Sequence, residues 1–442
     1  MAHQTLIHPP QRSVSELRNA VNRSSVRSFR GWLKWRILFP ILSIFHRLQV
    51  LAVGAMRRRG WRRVRPNSAL VLEVTSTSVG NLGDQAMLGG LVAILKYKGI
   101  SDIGIVTYDP ENPWSDVDGA HHAFAMNGFL NNLLLIWRLS GYEQLYYPGA
   151  DVMDGAYSNT MVQRVTHLLA MADRIGLKAT VCGFSFNNNP DPLALKYISE
   201  LPETVRLCCR DVPSQRRLQD RLERQVELVA DVAFNLPPNE SSETVRETVA
   251  WIARQRENGR QIVGVNLHQQ LARFQEGIDA RDLWQKIADV LQELAGRRQV
   301  AFVFMPHVYR SAPNDLDVLR DLRSEMAPEL QALTYLVEER CSAGNMKAIS
   351  GVCDLVLSGR MHLAIASLGQ GVPVICLTYQ DKFEGLMEYF DLTGNTFSPQ
   401  AVLDSDDLSQ RMLEYLDDCS ELKKKVRDAL PKVIEMSRAN VR

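Results

Sequence analysis

Between Asp354 and Glu384 the sequence reads DLVLSGRMHLAIASLGQGVPVICLTYQDKFE, and few folds satisfy that pattern. Asp354 to Leu357 is a short apolar run that breaks at Ser358-Gly359. Leu363 to Leu368 is amphipathic, and Gly369 and Gly371 separate it from a second apolar run, Val372 to Leu377. The unit is strand, turn, helix, turn, strand. In such a unit the carboxyl end of the first strand meets the amino end of the helix. Open α/β sheets bind ligands there, and the free helix N–H groups favour anions. Arg360 and His362 fall at that junction, and Tyr379 and Lys382 lie just past the second run. A guanidinium forks a carboxylate or phosphate and an imidazole exchanges protons near neutrality, so the pair suits an anionic substrate and a proton transfer. The structural alternative packs His362 under the sheet and places Arg360 in an ion pair.

The same alternation runs through most of the chain. Strands are expected at Ala69 to Val74, Ile103 to Thr107, Glu143 to Tyr147, Ala179 to Phe184, Thr204 to Cys209 and Val226 to Val229. Polar groups follow several of them: Gly80, Asn81, Gly83 and Asp84 in GNLGD, Asp151 and Asp154 after the third, Arg210 and Asp211, and Asp231. GNLGD lacks the GxGxxG spacing of a dinucleotide site; Asp84 stands at a helix start, where a cap is the bland role. Leu236 to Ser242, LPPNESS, reads as a linker, after which the pattern restarts with strands at Gln261 to Asn266, Val300 to Met305, Leu333 to Val337 and Val352 to Leu357. The run at Val300 ends in PHVYRSAPND, which puts His307 and Asp315 at its carboxyl end. These elements predict two Rossmann-like αβα domains, 66–236 and 237–400, facing a cleft, followed by a charged helical segment, 401–442.

Residues 1–65 differ from this body. They hold 14 Lys and Arg against the single acid Glu16, a balance of +13, so the other 377 residues carry −12. Confining the basic charge to one end argues against nucleic acid as the partner of the body. Ile37 to Met56 contains one charge, Arg47, in the middle. A secretory signal would start earlier, and a central Arg costs about 2.5–3.5 kcal/mol on insertion scales. With Trp32, Trp35, Trp61 and Arg57 to Arg59 around it, the segment is expected to lie on an anionic membrane face through residues 30–65; the alternative is a helix that packs on the body. Residues 1–30 are expected to be poorly ordered. The seven Cys, at 182, 208, 209, 341, 353, 376 and 419, lack zinc spacing and mostly sit in apolar runs, as reduced core residues of a cytoplasmic protein would.

Five motifs occur in order: GNLGDQAML, the CRD of Cys209 to Asp211 with Ser214, ADVAF, FMPH, and SGRMHLAIASLGQGVPVICLTYQDKFEG. With them the chain resembles the polysaccharide pyruvyl transferase family from about Leu70 to Leu392. The resemblance implies a two-domain arrangement like that of glycosyltransferases of the B type, with phosphoenolpyruvate bound in the interdomain cleft and a lipid- or nucleotide-linked saccharide as acceptor. It implies that Arg360 binds the donor's carboxylate or phosphate, that Arg210 is a second anion clamp, and that Gly80, Asn81, Gly83, His307, Tyr379 and Lys382 line the substrates. This sequence departs from the family pattern at Gly149-Ala150-Asp151, where glycines are usual, in GFSFNNN after Cys182, and at Gln85, where Glu is usual.

Phosphoenolpyruvate is a poor electrophile until its C3 is protonated. An acid must therefore face C3 while a base draws the proton from a sugar hydroxyl. His362 is the expected acid and Asp84 the expected base, with no metal and no cofactor. A nucleotide-sugar glycosyltransferase of the same fold, and a non-catalytic envelope-assembly protein peripheral to the inner face of the membrane, are the rival readings.

Overall fold

The computed structural model describes residues 39–74, 80–107, 117, 122–125, 129–274, 277–310, 313–379 and 383–442. Expectations for residues 1–38, including Trp32 and Trp35, and for Lys382 fall outside them.

Two parallel sheets form the body. The first has β1 (Ser68–Leu72), β2 (Asp102–Thr107), β3 (His122–Ala125), β4 (Gln144–Pro148), β5 (Lys178–Phe184), β6 (Arg206–Cys209) and β7 (Glu227–Leu228) in the order β3-β2-β1-β4-β5-β6-β7. The second has β8 (Gln261–Asn266), β9 (Val300–Phe304), β10 (Thr334–Leu336), β11 (Leu355–Ser358), β12 (Val374–Leu377) and β13 (Thr396–Phe397) in the order β10-β9-β8-β11-β12-β13. Each chain path starts in the middle, runs to one edge and returns to build the other. This doubly wound order opens a crevice between β1 and β4 in one domain and between β8 and β11 in the other. The two αβα layers expected from the sequence are present, with β3 and β13 as additional edge strands.

The alternation within β1 divides its side chains between two cores. Leu70 and Leu72 join Tyr147, Leu169 and Phe184 on the outer face. Ala69 and Val71 face the helix Leu82–Tyr97, whose Met87, Leu88, Leu91 and Leu95 are buried, and this core is continuous with that of the second domain. Burying each such side chain stabilises the fold by about 1.5–3 kcal/mol. Close approach matters at Gly90: a Cβ there would meet the carbonyl oxygen of Val232 at 2.2 Å. Glycine lets the helix rest on the 3₁₀ turn Val232–Asn235.

Both ends of the chain return to the first domain. The helix Phe39–Arg58 buries Val50 and Val53 beside the helices Phe129–Leu139 and Asn159–Arg174. Arg57 donates to the carbonyls of Ser140 and Tyr142, both at 2.7 Å, and to that of Gly176. Its opposite face leaves Ile44, Leu48 and Leu51 about two-thirds exposed at 60%, 59% and 67%. The helix thus packs on the body through one face, while its other face is apolar and exposed. Among the described residues no helix is long and apolar enough to cross a membrane. At the other end, the helix Cys419–Arg438 carries Ser437 and Asn440 back to β5 and the 3₁₀ turn: Ser437 donates to Asp231 O, and Asn440 accepts from Gly183 N and donates to Ala230 O. The segment 401–442 thus straps the two domains together.

Candidate active site

The carboxyl ends of the two sheets face each other across a cavity of about 460 Å³. Asn81, Asp84, Arg210, His307, Arg360, His362 and Tyr379 all line it. Gly80 and Gly83 stand behind this lining. The loop after β1 is tied to the loop after β9 by backbone: Tyr309 N donates to Gly80 O at 2.7 Å, Leu82 N donates to His307 O at 3.1 Å, and Asn81 bridges Val308. Asn81 also caps its helix by accepting from Gly83 N at 3.1 Å. Asp84 lies in the first turn of that helix, 8% exposed, at the cavity wall.

Arg360 occupies the N-cap position of the helix Met361–Leu368. Its guanidinium is held on both sides: Nε and Nη2 donate to the two oxygens of Asp315 at 3.2 and 2.6 Å, and Nη1 donates to Gln270 Oε1 at 3.3 Å. Asp315 is 1% exposed and also accepts the backbone N–H groups of His307 and Val308. The ion pair therefore exists, yet Arg360 remains at the cavity wall, fixed in direction rather than removed. Gln270 accepts from Tyr379 as well, and the Tyr379 ring stacks on Phe274 at 5.2 Å. His268, buried within the same wall, contacts Gly359 O through Nε2 at 2.8 Å.

One carboxylate joins the next pair. Asp231 Oδ1 accepts from Ala233 N, capping the 3₁₀ turn. Its Oδ2 lies 2.7 Å from Arg210 Nη1 and 3.6 Å from His362 Nε2. Arg210, itself 3% exposed, also donates through Nε to Ser185 Oγ at 2.8 Å. Burial works to raise the Asp231 pKa, but the His362 imidazole and the Arg210 guanidinium outweigh it and hold the carboxylate ionised well below the usual range. Arg210 and His362 thus share one oxygen, although 152 residues separate them in sequence. Burial, followed by the charges of His362 and Arg360, pushes His307 well below the usual imidazole range. His307 is therefore neutral at physiological pH, offering one donor and one acceptor.

The sequence alone places Asp231 and Asp315 beyond strand ends but gives them no partners, and it does not single out His268 or Gln270. Their position after β8, at the switch point, was the available signal. Among the described residues no three His, Cys, Asp or Glu gather as metal ligands.

Two doubly wound domains with strand ends converging on one charged cleft define a transferase-like fold of the glycosyltransferase B type. Solved structures agree on the fold. A putative UDP-N-acetylglucosamine 2-epimerase from Listeria monocytogenes aligns with TM-score 0.52 at 10% identity, over 83% of this chain and 92% of its own. A glycosyltransferase from Rickettsia africae aligns with TM-score 0.51 at 11% identity, over 84% and 96%. The sequence profile of the family described as polysaccharide pyruvyl transferase matches residues 81–381. The chain belongs to that family and is a transferase of polysaccharide biosynthesis. No curated protein sequence matches it.

Proposed function

We propose that the protein moves the pyruvyl group of phosphoenolpyruvate onto two hydroxyls of a lipid- or nucleotide-linked saccharide, closing a ketal. The observation that carries this reading is the pairing, on one helix start, of a guanidinium aimed by Asp315 with an imidazole backed by Asp231. Arg360 holds the donor's carboxylate or phosphate. His362 gives a proton to C3, turning the methylene into a methyl and C2 into an electrophile. A sugar hydroxyl attacks C2 and passes its proton to Asp84. The C2–O bond to phosphate then breaks as a second hydroxyl closes the ring. Of the two hydroxyl protons, one restores His362 by way of Asp84 and the other leaves with phosphate. Charged hydrogen bonds in a dry cleft count most at the step where phosphate departs.

The membrane belongs to the same proposal. Ile44, Leu48 and Leu51 present an apolar stripe, the docked helix Phe129–Leu139 adds the exposed Leu134 and Trp137, and Arg47, Arg59 and Arg63 of the same N-terminal segment are exposed. Such a patch suits the anionic inner face of a membrane, where a lipid-linked acceptor would be met. The reaction is tested by incubating the enzyme with phosphoenolpyruvate and a panel of hexosides and UDP-sugars. Phosphate release with a pyruvylated product supports the proposal. Release of UDP without use of phosphoenolpyruvate assigns a glycosyltransferase instead.

A further inference from the structure

We propose that Asp151, Tyr157 and Arg164, on the first domain's side of the cavity, form the acceptor subsite, and that Arg164 recognises a phosphate in the link between the saccharide and its carrier; the inference deepens the pyruvyl-transfer reading and rests on it. All three residues line the cavity. Among the described residues that lining holds four arginines, Arg164, Arg210, Arg310 and Arg360. Two of them are committed to buried carboxylates, Arg210 at 2.7 Å from Asp231 and Arg360 at 2.6 Å from Asp315. Arg310 belongs to the loop after β9 in the second domain. Arg164 belongs to the helix Asn159–Arg174 of the first, is exposed, and makes no hydrogen bond or ion pair among the described residues. With no acid to neutralise it, its planar fork fits a pair of phosphate oxygens.

The other two residues suit a sugar and not the donor. Asp151 Oδ2 accepts from the Tyr157 hydroxyl at 3.1 Å. Burial works to lower the Arg210 pKa, but Asp231 and then Asp151 raise it, so the Asp151 carboxylate bears on the reacting centre. A carboxylate in this wall repels a triply charged donor and accepts from sugar hydroxyls. Tyr157 is 52% exposed and offers its ring to the apolar C–H face of a pyranose. The chain bends sharply to build this wall: Ala150 has φ of 48°, a left-handed conformation that side chains seldom adopt, and its carbonyl accepts from Ser185 N at 2.7 Å. Ser185 is also the hydroxyl that holds Arg210. Asp151 follows the bend, where this sequence departs from the usual glycine, so the carboxylate is a feature of this chain's own acceptor. Met161 and Arg164, three residues apart on one helix face, carry the lining outward from there.

The test uses the full chain and pairs of acceptors that share a sugar, a hexose 1-phosphate and the methyl hexoside, across a panel of hexoses. Phosphate release from phosphoenolpyruvate shows wild type preferring the phosphate-bearing member. Arg164→Gln lowers that preference, the ratio of the two kcat/KM values, by about ten- to a hundredfold, whereas Tyr157→Ala raises KM for both members alike. Run beside them, a UDP-hexose and a farnesyl diphosphate-linked hexose distinguish a nucleotide from a lipid carrier, and the preferred one must show the same loss in Arg164→Gln. An unchanged ratio overturns the proposal, and so does an equal fall in phosphoenolpyruvate affinity, which would place Arg164 on the donor. Titrating the hexose 1-phosphates alone reads the subsite without turnover: wild type binds one of them about tenfold or more tighter than Arg164→Gln does, and absence of that difference, or of any heat with wild type, overturns the proposal. If phosphoenolpyruvate gives no heat while the difference holds, the pyruvyl reading fails and the phosphate site stands, so the two failures are distinct.

Discussion

Replacing Arg360 by Ala should cost stability as well as donor affinity, and the structure separates the two. Arg360 contacts both oxygens of Asp315, which is 1% exposed. Without the guanidinium the carboxylate stays buried. It still accepts from His307 N, Val308 N and Asn266 Nδ2. Stripping a buried carboxylate of its cation costs roughly 3–5 kcal/mol. Three remaining donors, and water entering through the partly exposed Arg360 site, place the loss near the lower end, about 3 kcal/mol. Phosphoenolpyruvate affinity should fall separately by about ten- to a hundredfold, for a charged hydrogen-bonded pair worth about 1.5–3 kcal/mol. Adding Asp315→Asn removes the stranded charge, so the double variant should recover most of the stability and none of the affinity. Urea unfolding and isothermal titration measure the two effects. Unchanged stability in Arg360→Ala would refute the ion-pair argument, and unchanged affinity would remove Arg360 from the donor site.

Four further outcomes are expected. His307 is unable to take a proton in the fold until well below the imidazole range, whereas the unfolded chain takes it near 6.5; stability should therefore fall as pH drops below about 6.5, and urea titrations of His307→Gln should lack that slope. Lys347, buried with its ammonium on Phe234 O, has its pKa pushed down to about 8 by burial. The unfolded chain binds more protons between there and about 10.5, so stability should rise with pH across that window by roughly 3 kcal/mol, and Lys347→Met should not show the rise. Leu48→Ser with Leu51→Ser should weaken binding to anionic vesicles at matched ionic strength without unfolding the body, because neither side chain is buried. Cutting at residue 65, by contrast, should destabilise the first domain, since it removes Val50, Val53 and the Arg57 hydrogen bonds; equal vesicle binding by the double variant would remove the membrane assignment.

The architecture was legible because parallel strands buried on both faces leave unbroken apolar runs such as Ile262 to Val265, and because polar residues gather where those runs end. β13 was not legible: Thr396 and Phe397 are two residues on an edge. Arg360, His362 and Asp84 could be placed at helix starts from local pattern alone. What they touch could not, because Asp315 and Asp231 reach them across loops and domains, 45 and 131 residues away in sequence. Gly83 is instructive for the same reason. In the sequence it reads as turn glycine beside a ligand loop; in the fold it makes room for a side chain of the other domain. The helix Phe39–Arg58 carried two incompatible-looking signals, apolar length and central charge; in the structure Val50 and Val53 are buried, while Arg47 is exposed beside Leu48 and Leu51.

The proposed function stands on two steps, the binding of phosphoenolpyruvate by Arg360 and its protonation by His362. Titrating phosphoenolpyruvate into wild type and His362→Gln, and following phosphate release from both against pH with a saccharide acceptor, tests it most directly. Both proteins should bind the donor with similar affinity. Wild-type turnover should decline on the alkaline side, and the variant should be slower by about 10²–10⁴ and lack that limb. A wild type that gives no heat with phosphoenolpyruvate but binds a UDP-sugar, or a variant that keeps full turnover, would contradict the account.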